Sequence, residues 1–499
     1  MSERRRMLIA VIAIVLGASV LLPPGAASAT STTTWVAVLG GAGTDLARDV
    51  GVDSAGNSYV VGTFEQTAMF GATSVTTHGG SDVFVAKFQA NGTFLWVRQI
   101  GSPLDDRAAG IVVRPSGRVY VAGTAWGSNV IGTIGSGGVA LPSAGGSDAF
   151  VAAFESNGDL FWGATQGGPG NDDAAGIASD DWGRPAITGS FTQSATFGGS
   201  VVNSNGTTEA GTNPVTVTAK ALQDAYAASF ESTGQLRWAT DVASGGSQDL
   251  GTAIVATGGR VIVAGTFQGA TTIGTTQVYA ADLNAGAAYV VALSNTFGGA
   301  VSWIRLLRGG AGTSAAPFDL ATARSGDLLL VGAVRGAVDY LQPGQPKEAT
   351  MNNGTTSDRS SFVLRLGTGG AYRWSAIGTS TSADAVATGV AVDQGGDVYV
   401  VGSFTGQTTW RSAPETAPAS VVVGPASGRD GFVARYSPWG NIRNVDAVTG
   451  ADDQVSDAIA ADTSGGARIA GHASGASTFP AGPTITTATT NGYVARLTP

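Results

Sequence analysis

Tryptophan recurs along this 499-residue chain at a nearly constant distance. Each recurrence opens a copy of one unit: a glycine and aspartate turn, a short apolar strand, an xYVVG segment and a DxFVAxF segment. The six tryptophans are Trp35, Trp96, Trp162, Trp238, Trp303 and Trp374. A seventh copy starts at Asn444, without the tryptophan. Self-similarity at a period of this length marks a repeat architecture, which constrains the fold before any single residue is considered.

Each copy reads as four short strands joined by tight turns. In the first copy they are WVAVLG, DVGVD, SYVVGTF and SDVFVAKF. Four such strands repeated radially are typical of β-propeller blades. The last copy lacks one strand and the chain begins with a surplus one, so we expect the N-terminal strand to pair into the C-terminal blade and leave no open edge. The sequence therefore predicts an all-β fold, a seven-bladed β-propeller with four-stranded antiparallel blades.

The domain boundaries follow from this pattern. Residues 1–29 read as a signal peptide, with arginines at 4–6, an apolar run over 7–22 and an Ala-Ser-Ala cleavage site at 27–29. That run is too short for a permanent membrane span, so no stable membrane insertion is expected after cleavage. Residues 30–499 form the predicted propeller, and export by general secretion or by the twin-arginine route places it outside the cell or in the periplasm. The blades are expected at about 45–101, 106–167, 172–243, 249–308, 315–379, 384–449 and 453–497, plus the strand at 35–40.

Composition narrows the function classes. The chain has 27 basic and 36 acidic residues and a formal net charge of −9, which disfavours nucleic acid and anionic membranes as partners. It contains no cysteine, so an exported form is stabilised without disulfides. With two histidines and no nucleophile elbow, phosphate-binding loop or dinucleotide fingerprint, the sequence favours a non-catalytic protein but leaves enzymatic activity open.

Several segments resemble a known repeat family. GIVVRPSGRVYVAGT and GGSDAFVAAFESNGDLFW in the second copy, and GVAVDQGGDVYVVGSF in the sixth, are similar to the SBBP repeat of bacterial secreted β-propellers. The resemblance covers essentially the whole chain after the signal. It implies a secreted seven-bladed propeller and little about activity, because one fold hosts many functions.

Two tryptophans outside the repeated position are candidate ligand-binding residues. Trp126 and Trp410 fall on the long, variable connections between the third and fourth strands, whereas Trp182 lies in an opposite turn. Variable loops on a rigid scaffold usually carry binding residues, and an exposed indole can stack on a sugar ring or a partner protein. The alternative is that these side chains fold back as local plugs. The six repeated tryptophans are interpreted as packing between neighbouring blades.

Aspartates in the turns that enter the innermost strands form a second candidate site. Gathered around one channel mouth, their carboxylates would suit Ca²⁺, which prefers oxygen ligands. The candidate metal ligands are Asp45, Asp106, Asp172, Asp249, Asp384 and Asp453. The alternative is that each aspartate caps its own turn by accepting backbone N–H bonds.

These observations favour a secreted, non-catalytic binding or scaffold module. Its expected ligand is a cell-surface glycan or an exported protein, met by the variable loops on one propeller face. Two alternatives remain open: a Ca²⁺-dependent hydrolase or lyase that uses the acidic channel mouth, and a structural component of the cell surface or of adhesion.

Overall fold

The computed structural model describes residues 31–132, 138–280, 286–296, 298–380, 384–413, 420–424 and 426–498. In these ranges the helices and strands assigned are all β-strands, with no helix among them, and all the strand pairings are antiparallel. The predicted all-β antiparallel class is therefore confirmed. The predicted signal peptide, 1–29, lies outside the described residues. Within the described ranges, no helix is long and apolar enough to span a membrane.

Forty strands occur in the described ranges. The first fourteen are β1 Thr32–Gly41, β2 Leu46–Val52, β3 Ser58–Phe70, β4 Thr73–Phe88, β5 Phe94–Gly101, β6 Asp106–Val113, β7 Val119–Trp126, β8 Asn129–Gly132, β9 Val139–Leu141, β10 Ser147–Phe154, β11 Leu160–Gln166, β12 Asp172–Ser179, β13 Pro185–Phe191 and β14 Ser194–Phe197. The next thirteen are β15 Ser200–Asn203, β16 Thr208–Ala210, β17 Val215–Thr218, β18 Asp224–Phe230, β19 Leu236–Ser244, β20 Asp249–Thr257, β21 Arg260–Phe267, β22 Ala270–Ile273, β23 Thr276–Tyr279, β24 Ala287–Ser294, β25 Val301–Gly309, β26 Ser314–Thr322 and β27 Leu328–Arg335. The last thirteen are β28 Ala337–Leu341, β29 Lys347–Asn352, β30 Ser360–Leu366, β31 Tyr372–Ser380, β32 Ala385–Val392, β33 Val398–Phe404, β34 Thr408–Arg411, β35 Ser420–Val423, β36 Asp430–Tyr436, β37 Ile442–Gly450, β38 Gln454–Ala461, β39 Ala467–Thr478 and β40 Thr484–Thr498.

The repeat appears as antiparallel groups of four strands, called sets 1 to 7 below. In order of pairing, the sets are β2-β3-β4-β5, β6-β7-β10-β11, β12-β13-β18-β19, β20-β21-β24-β25, β26-β27-β30-β31, β32-β33-β36-β37 and β38-β39-β40-β1. In set 7 the N-terminal strand β1 pairs with β40, with Val36 opposite Ala495. The last repeat therefore gains its missing strand from the start of the chain, as the sequence predicts.

The sheets are wider than the predicted four strands, and four of them contain six. The extra strands come from the long connection of the following repeat, which folds into a hairpin and pairs with the outermost strand of the preceding set. Thus β8 and β9 extend β5, and β34 and β35 extend β31. An outermost strand left alone would present unpaired N–H and C=O groups, and the hairpin satisfies part of that edge.

Neighbouring sets stack face to face, which explains why the middle strands are apolar on both sides. All residues of β10 and β13 are buried, and one apolar cluster joins Val61 of set 1 to Phe150 of set 2. The first strands of the sets also contact one another in sequence: β2 with β6, β6 with β12, β12 with β20, β20 with β26, β26 with β32, β32 with β38, and β38 with β2. This cycle of contacts surrounds a cavity of about 170 Å³ that Asp49 and Asp319 help to line.

Candidate functional site

Trp126 is the last residue of β7, at the point where the long connection of set 2 begins. Its backbone is held at both ends, because its N–H donates to Asp106 Oδ1 at 3.3 Å and its carbonyl accepts the Ser102 hydroxyl at 2.9 Å. The guanidinium of Arg107 lies 5.1 Å from the centre of the indole ring, a cation–π contact. The side chain is half-buried, so part of the indole remains accessible.

Trp126 lines a cavity of about 510 Å³, here named the channel-mouth cavity. Its charged lining is Arg48, Glu65, Arg107, Asp173 and Asp457. A second cavity of about 460 Å³, bounded by Leu104 and Asp105, shares Trp126 and Arg107 with the first. The indole therefore stands between two concave surfaces.

The carboxylates of the channel-mouth cavity are already engaged. Glu65 Oε2 accepts the Thr44 N–H at 3.1 Å, and Asp457 Oδ2 lies 2.7 Å from His472 Nδ1. The Arg48 guanidinium reaches Asp457 only at 4.0 Å. The site thus combines an aromatic surface with fixed acceptors and arginine donors.

Trp410 is not an exposed loop residue, and that prediction is wrong. It lies in β34, pairs with Gly378 of β31 and is 2% exposed. Its ring centre is 4.3 Å from that of Phe432, and a side-chain carbon on Gly378 would touch the indole. The connection folds back as a hairpin onto the preceding set, so the indole is buried as a plug and offers no surface for a ligand.

Sequence reasoning passed over a more exposed tryptophan. Trp439 is 73% exposed in the hairpin turn between β36 and β37, and Trp182 is 66% exposed in the turn between β12 and β13. The sequence did contain a signal for the exposure of Trp439, because this residue occupies a turn position where the first two copies have asparagine. The Arg184 guanidinium lies 4.3 Å from the Trp182 ring centre.

Four of the predicted metal-ligating aspartates are buried and hold turns through N–H bonds. Asp45 accepts the N–H of Gly41, Asp106 that of Ser102, Asp172 that of Gly168 and Asp249 that of Gly246. Burial raises the pKa of Asp45 and Asp249 to about 6 and that of Asp106 and Asp172 to about 7, because the charged carboxylate is poorly solvated.

Asp384 and Asp453 do not occupy the same repeat position. Asp106 pairs across the sheet with Ala125, and the corresponding residues are Ala385, opposite Phe404, and Gln454, opposite Ala473. Each aspartate precedes that position by one residue, and adjacent strand residues face opposite sides.

These two aspartates accordingly have other partners. Asp384 lies 2.6 Å from the Arg359 guanidinium, and that ion pair lowers the pKa of Asp384. Asp453 is exposed and accepts the Arg429 N–H at 3.2 Å. Among the residues that the structure describes, no three Asp, Glu, His or Cys side chains come together in a group that could hold a metal ion. The predicted aspartate ring is therefore not assembled as a metal site.

Comparison with known proteins agrees with the repeat. Residues 95–129 match the family model of the SBBP β-propeller repeat. The chain thus carries an SBBP repeat, which confirms the resemblance seen in its second copy. The extracellular domain of a hybrid two-component system from B. thetaiotaomicron aligns with 93% of this chain and 81% of its own, at 9% identity and a TM-score of 0.18. No curated protein sequence matches this chain.

Proposed function

We propose that residues 30–499 form one closed ring of seven blades, each built on one strand set. Three observations support this arrangement: the seven sets, the unbroken cycle of contacts from β2 through β38 back to β2, and the pairing of β1 with β40. A ring closed in this way leaves no terminal sheet edge. The signal-like segment at 1–29 supports a location outside the cytoplasm, in the periplasm or the medium.

We propose further that the protein is a non-catalytic binding module and that its ligand is a cell-surface glycan. The observation that carries this proposal is the half-buried indole of Trp126, which is held in place by its backbone and bounds the channel-mouth cavity. Sugar rings stack on indoles through their C–H faces, while carboxylates and guanidinium groups bind their hydroxyls. Glu65, Asp173 and Arg48 line the same cavity and carry the acceptors and donors that such hydroxyl groups need.

The test is binding of the purified exported protein to an array of bacterial and host glycans, followed by calorimetry on any positive. Trp126→Ala should weaken binding at least tenfold, a loss of about 1.4 kcal/mol, with a nearly unchanged Tm. Trp182→Ala is the matched control, since it removes an exposed indole elsewhere. Equal affinity of the Trp126 variant and the wild type would exclude this site. Binding of an exported protein that needs Trp126, with no glycan bound, would assign the cavity to a protein ligand instead.

A further inference from the structure

Buried pairs of polar residues lie at the junctions between sets, outside the channel-mouth cavity. One member of each pair lies in the third strand of a set. The other lies at the start of the first strand of the next set. The pairs are Asp82 with Asp106, Asp148 with Asp172, Asp224 with Asp249, Asp430 with Gln454 and Asn491 with Asp45. Three of these pairs consist of two carboxyl groups.

Asp148 and Asp172 form the simplest of the three. Their exposed fractions are 0% and 1%, and both side chains press against Gly167, where a side-chain carbon would collide with Asp148 Oδ1 and lie 2.9 Å from Asp172 Oδ2. Gly167, which follows β11, has to be glycine because the two carboxyl groups fill the space that a side chain would need.

The hydrogen bonds of this pair are incomplete. Asp148 Oδ2 accepts the Ser143 hydroxyl and the Ala144 N–H, both at 2.7 Å, and Asp172 Oδ2 accepts the Gly168 N–H at 2.6 Å. The Oδ1 atoms of both aspartates are buried without a hydrogen bond among the described residues, although the nearby Thr192 N–H lowers the pKa of Asp172 in opposition to burial. Two buried, neighbouring carboxylates that each leave one oxygen without a donor would be unfavourable.

No cation compensates the pair. Neither Asp148 nor Asp172 forms an ion pair with a described basic side chain, unlike Asp82, which lies 3.2 Å from His78. The other titratable groups that face the pair are Asp173, on the same strand as Asp172, and Tyr226 of β18, whose hydroxyl is buried without a partner. Asp173 adds negative charge beside the pair, and the neutral phenol of Tyr226 does not compensate the charge of the carboxylates.

The chain itself shows that a neutral member fits. At the junction of sets 7 and 1, Asn491 faces Asp45 across Gly40, in the same arrangement that Asp148 and Asp172 make across Gly167. At the junction of sets 6 and 7, the Gln454 amide lies next to Asp430 and donates to the Ser474 carbonyl. An amide and a protonated carboxyl group are both uncharged, so these two junctions show that one member of the pair can be neutral.

We propose that Asp148 and Asp172 bind one proton between them, with the Asp172 carboxylic acid donating a hydrogen bond to the Asp148 carboxylate. The only bond formed is the O–H bond of the carboxylic acid, and its proton comes from solvent during folding. The raised pKa of Asp172, about 7, agrees with its role as the protonated member. In other proteins, two carboxyl groups that share a site repel each other when both are ionised, so one of them stays protonated.

The consequence is a fold that holds together better at mildly acidic pH. A carboxyl group whose pKa rises from 3.8 when unfolded to about 7 when folded contributes stability that is complete below pH 3.8 and lost as the pH rises through 7. The window for Asp172 is therefore about pH 4 to 7. This inference does not depend on the proposed glycan site.

The experiment compares the Tm of the exported protein, Asp172→Asn and Asp181→Asn between pH 5 and pH 8.5, in EDTA. Asp172→Asn imitates the protonated acid, so we expect its Tm to fall about 1–3 °C less than that of the wild type over this range. Asp181→Asn removes an exposed carboxylate of the same repeat and should follow the wild type. Parallel profiles of all three proteins would overturn the proposal.

Two further measurements keep the result decisive. If Asp172→Asn does not fold, the ¹³C signal of the Asp172 carboxyl carbon in the wild type must titrate above pH 6; titration near pH 4 would refute a bound proton. If Ca²⁺ instead raises the wild-type Tm at pH 8.5 and the rise is absent in Asp148→Asn, the pair holds a cation and not a proton.

Discussion

The indole of Trp162 lies on Gly234, a residue of the next repeat. Its Nε1–H donates to the Ser232 carbonyl at 2.9 Å, and a side-chain carbon on Gly234 would come within 2.8 Å of the ring. The same contact between the tryptophan of one set and a turn glycine of the next joins Trp35 to Gly92, Trp96 to Gly158, Trp238 to Gly299, Trp303 to Gly370 and Trp374 to Gly440. Each repeated tryptophan therefore packs on the turn of the next set, which explains why the tryptophan and the turn glycine recur together.

We predict that Gly234→Ala destabilises the protein by about 2 kcal/mol or more, because the methyl group meets the indole and the residue has a φ of 90°. Gly206→Ala is the matched control. It has a similar φ of 79° and no atom near the added carbon, so it reports backbone strain alone. Urea unfolding gives both values. Equal losses in the two variants would show that the contact with Trp162 contributes nothing.

Trp410→Ala should lower stability by about 3–5 kcal/mol, the usual cost of removing a buried large aromatic side chain. Trp439→Ala, which removes an indole that is 73% exposed, should change it by less than about 0.5 kcal/mol. Chemical denaturation measures both. A mild effect at Trp410 would restore it as a candidate loop residue and contradict its packing on Phe432.

Arg468 clasps the two ends of the chain. Its buried guanidinium lies 2.8 Å from Asp462 Oδ2 and donates to the Ser58 hydroxyl at 3.0 Å and to the Gly56 carbonyl at 3.1 Å, so it joins set 7 to set 1. Arg468→Ala leaves Asp462 without this partner, and we expect a loss of about 3–5 kcal/mol in the free energy of unfolding. Arg260→Ala, at a more exposed arginine, is the control. Similar stabilities of the two variants would argue against the clasp.

The same ion pair sets a dependence on acid. Burial would raise the pKa of Asp462, but hydrogen bonds from the Ser464 hydroxyl and from Arg468 outweigh it and lower the pKa to about 2, below the unfolded value of 3.8. The stability it supplies is therefore complete above pH 3.8 and lost as the pH falls through 2. Thermal melts between pH 5 and pH 2 should show a smaller loss for Asp462→Asn than for the wild type. An equal loss in both proteins would mean that other carboxyl groups control acid unfolding.

Removal of divalent cations should leave the protein unchanged. The buried aspartates accept backbone N–H donors, and no group of three metal-ligating side chains comes together among the described residues. Melts in excess EDTA and in millimolar Ca²⁺ should therefore coincide. An upward shift with Ca²⁺ would show a metal site, since a ligand that binds only the folded state raises Tm by mass action, with about 2.7 kcal/mol at a hundred times its Kd.

The sequence by itself determined the strand class, the repeat and the pairing of strand 35–40 into the last copy. These follow from features that are local to one copy, namely alternating turns and apolar segments, and from the missing strand at the end of the chain. The recurrence of tryptophan at one position in six of the seven copies was also enough to predict packing between repeats.

Tertiary structure alone decided which side chains are accessible. Trp410 is buried because β34 pairs with a strand of the preceding repeat. The pairing also shows that Ala385, and not Asp384, lies opposite Phe404 at the aspartate position. Trp126 was already a candidate from the sequence, and the tertiary structure adds that Arg107 and Asp173, from two different sets, line the same cavity. When a side chain contacts a residue of another repeat, the pattern within one copy shows only one of the two residues. The local sequence therefore does not predict whether that side chain is buried.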